Sequence, residues 1–246
     1  EVVIGLSGGI DSALVAAIAT DALGSKAVLG VTMPSSYSSK GSWKDSEDLA
    51  LRLGIRCLNH PIKEKYELFI KEHREYKMKE TGIQNPPDKI NLAMENLQAR
   101  LRGLELMYIS NEEGRLVLTT GNKSELAMGY CTLYGDMAGG LCVLGDLYKT
   151  DVYRLAEFRN QSKAVIPEAI LKKAPSAELR PNQTDQDTLP PYEALDAIIS
   201  KYMENDMSPS EIVAQGFGAG DVKRVVEMIH RSEYKRRQAP IGIRIT

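Results

Sequence analysis

Histidine and cysteine are scarce in this chain of 246 residues, three of each, and tryptophan occurs once. Cys57, Cys131 and Cys142 are odd in number, lack C-x-x-C spacing and have few histidines near them. That pattern argues against a disulfide framework or a zinc site and fits a reducing cytoplasm. His60, His73 and His230 show no ligand spacing, so no site falls on them. No stretch approaches the roughly eighteen uncharged apolar residues of a membrane helix. No signal peptide is visible, so neither a membrane partner nor export is expected. A surplus of either charge is also missing: 31 Lys and Arg against 33 Asp and Glu leave a net charge of −2. Nucleic acid is therefore not an expected partner, because the basic field it requires is absent. Small charged substrates remain open.

What is present begins at the amino end. The apolar run Val2-Val3-Ile4-Gly5-Leu6 leads into Ser7-Gly8-Gly9-Ile10-Asp11-Ser12 and then into an Ala/Leu-rich segment. This reads as buried strand, phosphate loop and helix, and it makes Gly5 through Ser12 candidates for holding a nucleotide. Glycines bring backbone N–H groups close to phosphate oxygens, and the helix N-terminus adds partial positive charge. Asp11 offers a carboxylate for a divalent metal. The alternative is an ordinary tight turn in which Ser7 or Ser12 caps the helix. The loop lacks the Gly-Lys-Ser/Thr ending of a Walker loop, which sets it apart from P-loop chemistry. It resembles the PP-loop of the ATP pyrophosphatases. That resemblance implies a loop that holds the β- and γ-phosphates as leaving group while a substrate oxygen attacks the α-phosphate.

Strand and helix signals alternate along the chain, which predicts an α/β fold with a doubly wound, Rossmann-like parallel sheet flanked by helices. Ala27–Met33, Arg56–Ile62 and Leu116–Thr120 read as further strands, about Lys44–Leu53 and Lys63–Lys79 as helices, and Thr81–Asp88 as a broken loop. Leu97, Leu101, Leu104 and Tyr108 mark an amphipathic helix at helical spacing. Gly121–Lys149 is glycine-rich with little periodicity, the kind of stretch that carries function. Val152–Phe158 resumes a helix. Residues 1–165 are expected to form the α/β core. Residues 166–246 are expected to supply a polar, proline-rich segment over Pro175–Pro191 and then a helical appendage. In that appendage Leu195, Ile198, Ile199 and Tyr202 form one face, Val222, Val225, Val226 and Ile229 another, and Ser208–Glu211 a capping box. Trp43 and the nine methionines are simplest as packing residues. The chain opens at Glu1 without methionine, one residue before a core strand, which reads as a piece of a longer polypeptide.

Further motifs extend the resemblance: Glu95-Asn96-Leu97-Gln98-Ala99-Arg100, Thr120-Gly121-Asn122-Lys123-Ser124-Glu125, Tyr134-Gly135-Asp136, Lys149-Thr150, Pro175 through Pro181, and Tyr234-Lys235-Arg236-Arg237 before Ala239-Pro240-Ile241-Gly242. Together they resemble the NAD synthetase family, and more particularly the synthetase domain of its glutamine-dependent long form, from Val2 to Thr246. The resemblance implies that Asp11 and Glu125 meet Mg2+, that Thr120, Lys149 and Ser176 contact ATP, and that Asn96, Arg100, Glu125 and Lys235 face deamido-NAD. Asp136 is expected to orient the substrate or the ammonia nucleophile.

Each of these residues also has a plainer reading. Glu125 is then a helix N-terminal glutamate favoured by the dipole, and Thr120 a β-branched strand residue. Ser176 is a capping serine and Asp136 a turn aspartate. Asn96 and Arg100, four apart on one helix face, are a surface pair, and Lys235 belongs to a solvated basic cluster. Lys149 at a helix start opposes the dipole, and that unfavourable placement points to a role toward a ligand.

The implied reaction amidates deamido-NAD: its carboxylate attacks the α-phosphate of ATP, pyrophosphate leaves, and ammonia displaces AMP to give NAD. The implied partners are a glutaminase domain in the full-length chain and a second copy in a homodimer or higher homo-oligomer. Other readings remain open: another PP-loop ligase such as GMP synthetase or a tRNA-modifying enzyme, and a non-catalytic nucleotide-sensing module.

Overall fold

The computed structural model describes residues 1–82, 90–181 and 183–245. Beyond Gly82, the broken loop expected before Asp88 therefore lies outside the described residues. The chain runs β1 (Val2–Gly5), α1 (Ile10–Leu23), β2 (Val28–Thr32), α2 (Lys40–Leu53), β3 (Arg56–Asn59), α3 (Lys63–Thr81), α4 (Leu92–Glu113), β4 (Leu116–Thr119) and α5 (Lys123–Met128). It continues through β5 (Leu141–Cys142), α6 (Lys149–Ser162), α7 (Glu168–Lys172), α8 (Tyr192–Met203), α9 (Pro209–Ala214), α10 (Ala219–Arg231) and α11 (Glu233–Arg236).

The strands form one parallel sheet of order β3-β2-β1-β4-β5, as the alternation of signals predicts. Val3 sits at its centre, opposite Leu29 on one side and Val117 on the other. A strand buried on both faces has no reason to alternate, which is why Val2-Val3-Ile4 is continuously apolar. One face of the sheet is covered by α1, α6 and α7, which share a core with Ile4 and Leu118. The other is covered by α4, whose Leu106 and Ile109 pack on Val3, Leu29 and Val117. Each large side chain so buried contributes about 1.5–3 kcal/mol. The strand order reverses between β1 and β4, and in such a sheet the crevice beyond the strand ends at that point is where a ligand fits.

Three expectations shift. Helix α2 begins four residues earlier than its apolar pattern indicates, because Ser39 caps it, its Oγ accepting from the Ser42 N–H at 3.0 Å. The glycine-rich stretch is not all loop: it contains α5 and β5, and α5 starts with a capping box between Asn122 and Glu125. On α4 the buried face carries Gln98, Ala99, Gly103, Leu106 and Ile109, while Leu104 and Tyr108 are each 62% exposed. Small residues mark the packed face here. A Cβ on Gly103 would lie 2.8 Å from the carbonyl oxygens of Tyr134 and Gly135, so α4 docks directly on the 134–136 backbone.

The last third of the chain forms a second core, in which Leu195, Ile198 and Ile199 of α8 meet Val222, Val225 and Ile229 of α10 together with Ala127 and Met128 of α5. The capping box at Ser208 and Glu211 is present. No helix among the described residues is long and apolar enough to cross a membrane.

Candidate functional site

The loop between β1 and α1 is shaped by its serines. Ser12 Oγ accepts from the Ser7 N–H at 3.2 Å and donates to Gly9 O at 3.1 Å, and Ser7 Oγ accepts from the Gly9 N–H at 3.2 Å. Gly9 occupies the N-cap of α1, with no side chain capping it. The first N–H groups of the helix therefore have neither an intrahelical carbonyl nor a cap to bond. Gly8 has φ +73°, and a Cβ there would fall 2.4 Å from Ser42 O. The loop thus presses against the first turn of α2.

Asp11, one residue into α1, points to the far side of the sheet's switch point. Its Oδ2 receives the Lys149 ammonium at 2.5 Å and its Oδ1 the Asn122 amide at 2.9 Å. Lys149 also reaches Glu125 Oε1 at 3.2 Å. The lysine side chain is only 3% exposed, its partners 17% and 18%. Burial draws the Lys149 ammonium down, but the two carboxylates outweigh that and hold it above the ordinary lysine range. Burial pushes the Glu125 carboxyl up, against the pull of Lys149.

Helix α8 closes this group from behind. The Tyr192 ring lies 5.5 Å from Lys149 Nζ, and its hydroxyl donates to Asp185 Oδ2 at 2.7 Å. Asp196, one turn along, accepts from Ser124 Oγ at 2.5 Å and from the Thr150 N–H at 3.0 Å, while Ser124 Oγ accepts from the Lys149 N–H. The Tyr130 hydroxyl lies buried beside Asp185, and the two act on each other there.

A cleft opens in front of these residues. Gly5, Leu6, Ser7, Gly9, Ile10 and Asp11 line it, and so do Thr120, Glu125, Asp136, Lys149 and Ser176. Gly8 and Ser12 lie beneath the loop as buried supports. Asn96, Arg100 and Lys235 are not brought to this cleft. Asn96 Oδ1 accepts from Thr132 Oγ1 at 2.9 Å, Arg100 Nε donates to Leu133 O at 3.2 Å, and Lys235 Nζ donates to Gly129 O and Cys131 O at 2.7 and 2.6 Å. All three hold the 129–133 segment from outside, and Arg100 also borders a separate groove with Leu104, Met107 and Tyr134.

The cleft's mouth is crossed by the polar segment of the chain. Ser176 Oγ donates to Gln183 O at 2.6 Å and accepts from the Glu178 N–H at 3.1 Å. Glu178 accepts from Ser39 N–H and Oγ, from Ser42 Oγ and from Lys173. Burial raises its carboxyl, but these donors together hold it below the usual glutamate range.

Sequence reasoning missed Arg102, Asn122, Glu178, Asp185, Tyr192 and Asp196, and it read Trp43 as a packing residue, whereas Trp43 is 42% exposed and borders the cleft. Asn122 had a local signal, its Asn-x-x-Glu capping spacing. The others depend on long-range packing.

Asp136 is open to the cleft, yet desolvation by the surrounding walls raises its carboxyl from 3.8 to about 6, against the Thr132 N–H bond at 2.8 Å and the nearby Lys235 and Arg102. A raised folded-state value favours the protonated form. This contribution to stability is complete below pH 3.8 and is lost as pH rises through about 6. Between those limits the melting temperature of the unsubstituted chain is expected to fall relative to that of Asp136→Asn. Parallel melting curves from pH 4.5 to 6.5 would remove Asp136 from that role.

Among the described residues no group of three or more His, Cys, Asp or Glu could hold a metal alone. Asp11 and Glu125 share the Lys149 ammonium, and the Asp185 carboxylate is near enough to act on all three. This all-oxygen set fits Mg2+, which binds through one or two carboxylates completed by nucleotide phosphates.

Comparison with known proteins places the chain in a family. The NAD synthase family model matches residues 1–239. The glutamine-dependent NAD(+) synthetase of Thermotoga maritima is 52% identical over 248 aligned residues, covering all of this chain and 42% of that protein. Among solved structures, the glutamine-dependent NAD+ synthetase of Acinetobacter baumannii in complex with ADP is similar at 43% identity and TM-score 0.65, with all of this chain matched to 43% of that one. The NH3-dependent NAD synthetase of Campylobacter jejuni is similar at 28% identity and TM-score 0.72, over 95% of this chain and 86% of that one. The chain spans about two fifths of the length of the curated relatives it matches.

Proposed function

The chain belongs to the NAD synthase family, and from that premise we propose that it converts deamido-NAD to NAD with ATP and ammonia, through an adenylated carboxylate. The observation that carries this reading is the pairing of Lys149 with Asp11 and Glu125 at the end of the phosphate loop. A carboxylate is a poor electrophile until its oxygen joins a good leaving group, and ATP supplies one. The N–H groups at the start of α1 receive the β- and γ-phosphates. Lys149 is poised to neutralise charge that builds on the α-phosphate and the departing pyrophosphate. When bound, Mg2+ would be held by Asp11 and Glu125 and would share the phosphate charge. Asp136 orients the incoming nitrogen nucleophile once deprotonated, and Thr120 and Ser176 line the nucleotide side. Positioning and charge stabilisation perform the catalysis, with no nucleophilic side chain.

The thiols fit that economy. Burial raises all three, Cys131 to about 12, so none is an activated nucleophile for glutamine hydrolysis. We infer that the chain takes free ammonia and that a glutaminase domain supplies it in the full-length protein. The test is pyrophosphate release and NAD formation with ATP, deamido-NAD and an ammonium salt, alongside glutamine as sole nitrogen source. NAD formation from ammonium alone is expected. Pyrophosphate release that is indifferent to deamido-NAD would refute the substrate, and glutamine turnover matching NAD formation would refute the nitrogen source.

Helix α4 leaves Leu104, Met107 and Tyr108 exposed beside Arg100, and we propose that this face joins two copies and puts Asn96, Arg100 and Lys235 near the dinucleotide. Light scattering is expected to give a dimer, and a monomer that binds deamido-NAD normally would sink this arrangement.

A further inference from the structure

Three cationic side chains line the cleft among the described residues: Arg102, Lys149 and Lys173. Two are saturated by carboxylates. Lys149 is held by Asp11 and Glu125, and Lys173 by Glu178, with Ser42 Oγ as a second partner. Arg102 differs. Its Nε donates to Met33 O at 3.1 Å, which fixes the plane of the guanidinium, while neither terminal nitrogen has a hydrogen-bond partner among the described residues. The residue before Gly103, it stands where α4 docks on the 134–136 backbone, between the end of β2 and Asp136. Glu178 and Asp136 act on it from a distance, without touching it.

A desolvated guanidinium whose fork is unpaired and held in plane is built to take two oxygens of one anionic group. We propose that Arg102 binds an oxyanion of the bound substrates inside the cleft, a phosphate of ATP or an acidic group of deamido-NAD, whereas Arg100 lies outside this cleft. This rests on the nucleotide-ligase reading of the cleft. Sequence spacing hides the distinction, because two residues along a helix are about 200° apart around its axis. Of the two, Arg102 lines this cleft and Arg100 borders the other groove.

The single tryptophan, Trp43, borders the same cleft, so its fluorescence reports binding without turnover. The experiment titrates the unsubstituted chain, Arg102→Lys and Arg102→Gln with ATP, deamido-NAD and adenosine. Arg102→Lys keeps charge and bulk but not the fork, so it stays informative if Arg102→Gln folds poorly. The expected result is a loss of about tenfold or more for one of the two anionic ligands, with adenosine binding and melting temperature unchanged. Weakening confined to ATP assigns the oxyanion to its phosphates, and weakening confined to deamido-NAD assigns it to that molecule. Equal weakening of both, or of neither, overturns the role of Arg102. If the unsubstituted chain binds neither ATP nor deamido-NAD, the reading of the cleft itself fails and the Arg102 proposal with it.

Discussion

Replacing Lys149 with methionine is expected to cut NAD formation at saturating ATP by about 10²–10³-fold, the loss typical when one preorganised charge is removed from a developing anion. The same change strips Asp11 and Glu125 of their shared ammonium, and removing one partner of a buried ion pair costs about 3–5 kcal/mol. Activity and stability therefore fall together in Lys149→Met, and pyrophosphate release measured well below its melting transition parts them. Turnover that recovered there would make Lys149 a structural strut. Comparison with Lys149→Arg, which keeps the charge, isolates the geometry.

The second large effect is expected at Gly8. Alanine there meets backbone on the other side of the loop, at 2.4 Å from Ser42 O and 2.7 Å from Ser42 Cα, and its φ of +73° disfavours any side chain. Backbone cannot yield cheaply, so either α2 retreats or the loop reshapes, at a cost of about 3–5 kcal/mol. For a chain of this size that lowers the melting temperature by about 10 °C. Gly9 is the control: its Cβ would first meet the Ser7 hydroxyl at 3.3 Å, a movable group. Gly9→Ala should melt within about 2 °C of the unsubstituted chain while weakening ATP binding, since the methyl stands in front of the phosphate-facing amides. Equal melting temperatures for Gly8→Ala and Gly9→Ala would show that the loop is not wedged against α2.

These two sites also show what the sequence discloses and what it conceals. The strand, loop and first helix are contiguous, so Val2 through Ser12 state their own structure. The sheet order follows from alternating signals because a parallel crossover leaves few other arrangements. Asp11, Glu125 and Lys149 are far apart in the chain, and their motifs marked them separately, but only the switch between β1 and β4 brings them into contact. Tyr192 and Asp196 carried no signal, since an aromatic and a carboxylate on an amphipathic helix are unremarkable until the helix is docked. On α4, residue size misled. Leu104 and Tyr108 looked like the packed face, whereas Ala99 and Gly103 are what allow the helix to approach the 134–136 backbone. Glu178 escaped notice because its serine partners lie about 140 residues upstream.

The docking of α8 behind Lys149 sets an order on biosynthesis. All five strands of the described residues have left the ribosome once Cys142 has emerged, and the sheet with α1 and α4 can then condense, as domains do from the amino end. Lys149 follows directly, but the Tyr192 ring over its ammonium and the Asp196 carboxylate that fixes the start of α6 are made some forty to fifty residues later. At about 5–20 residues per second that is a delay of several seconds. During it a nascent chain holds its phosphate loop beside an unsupported lysine and two acidic groups, and a nucleotide captured then would act as a scaffold on which the remaining helices close.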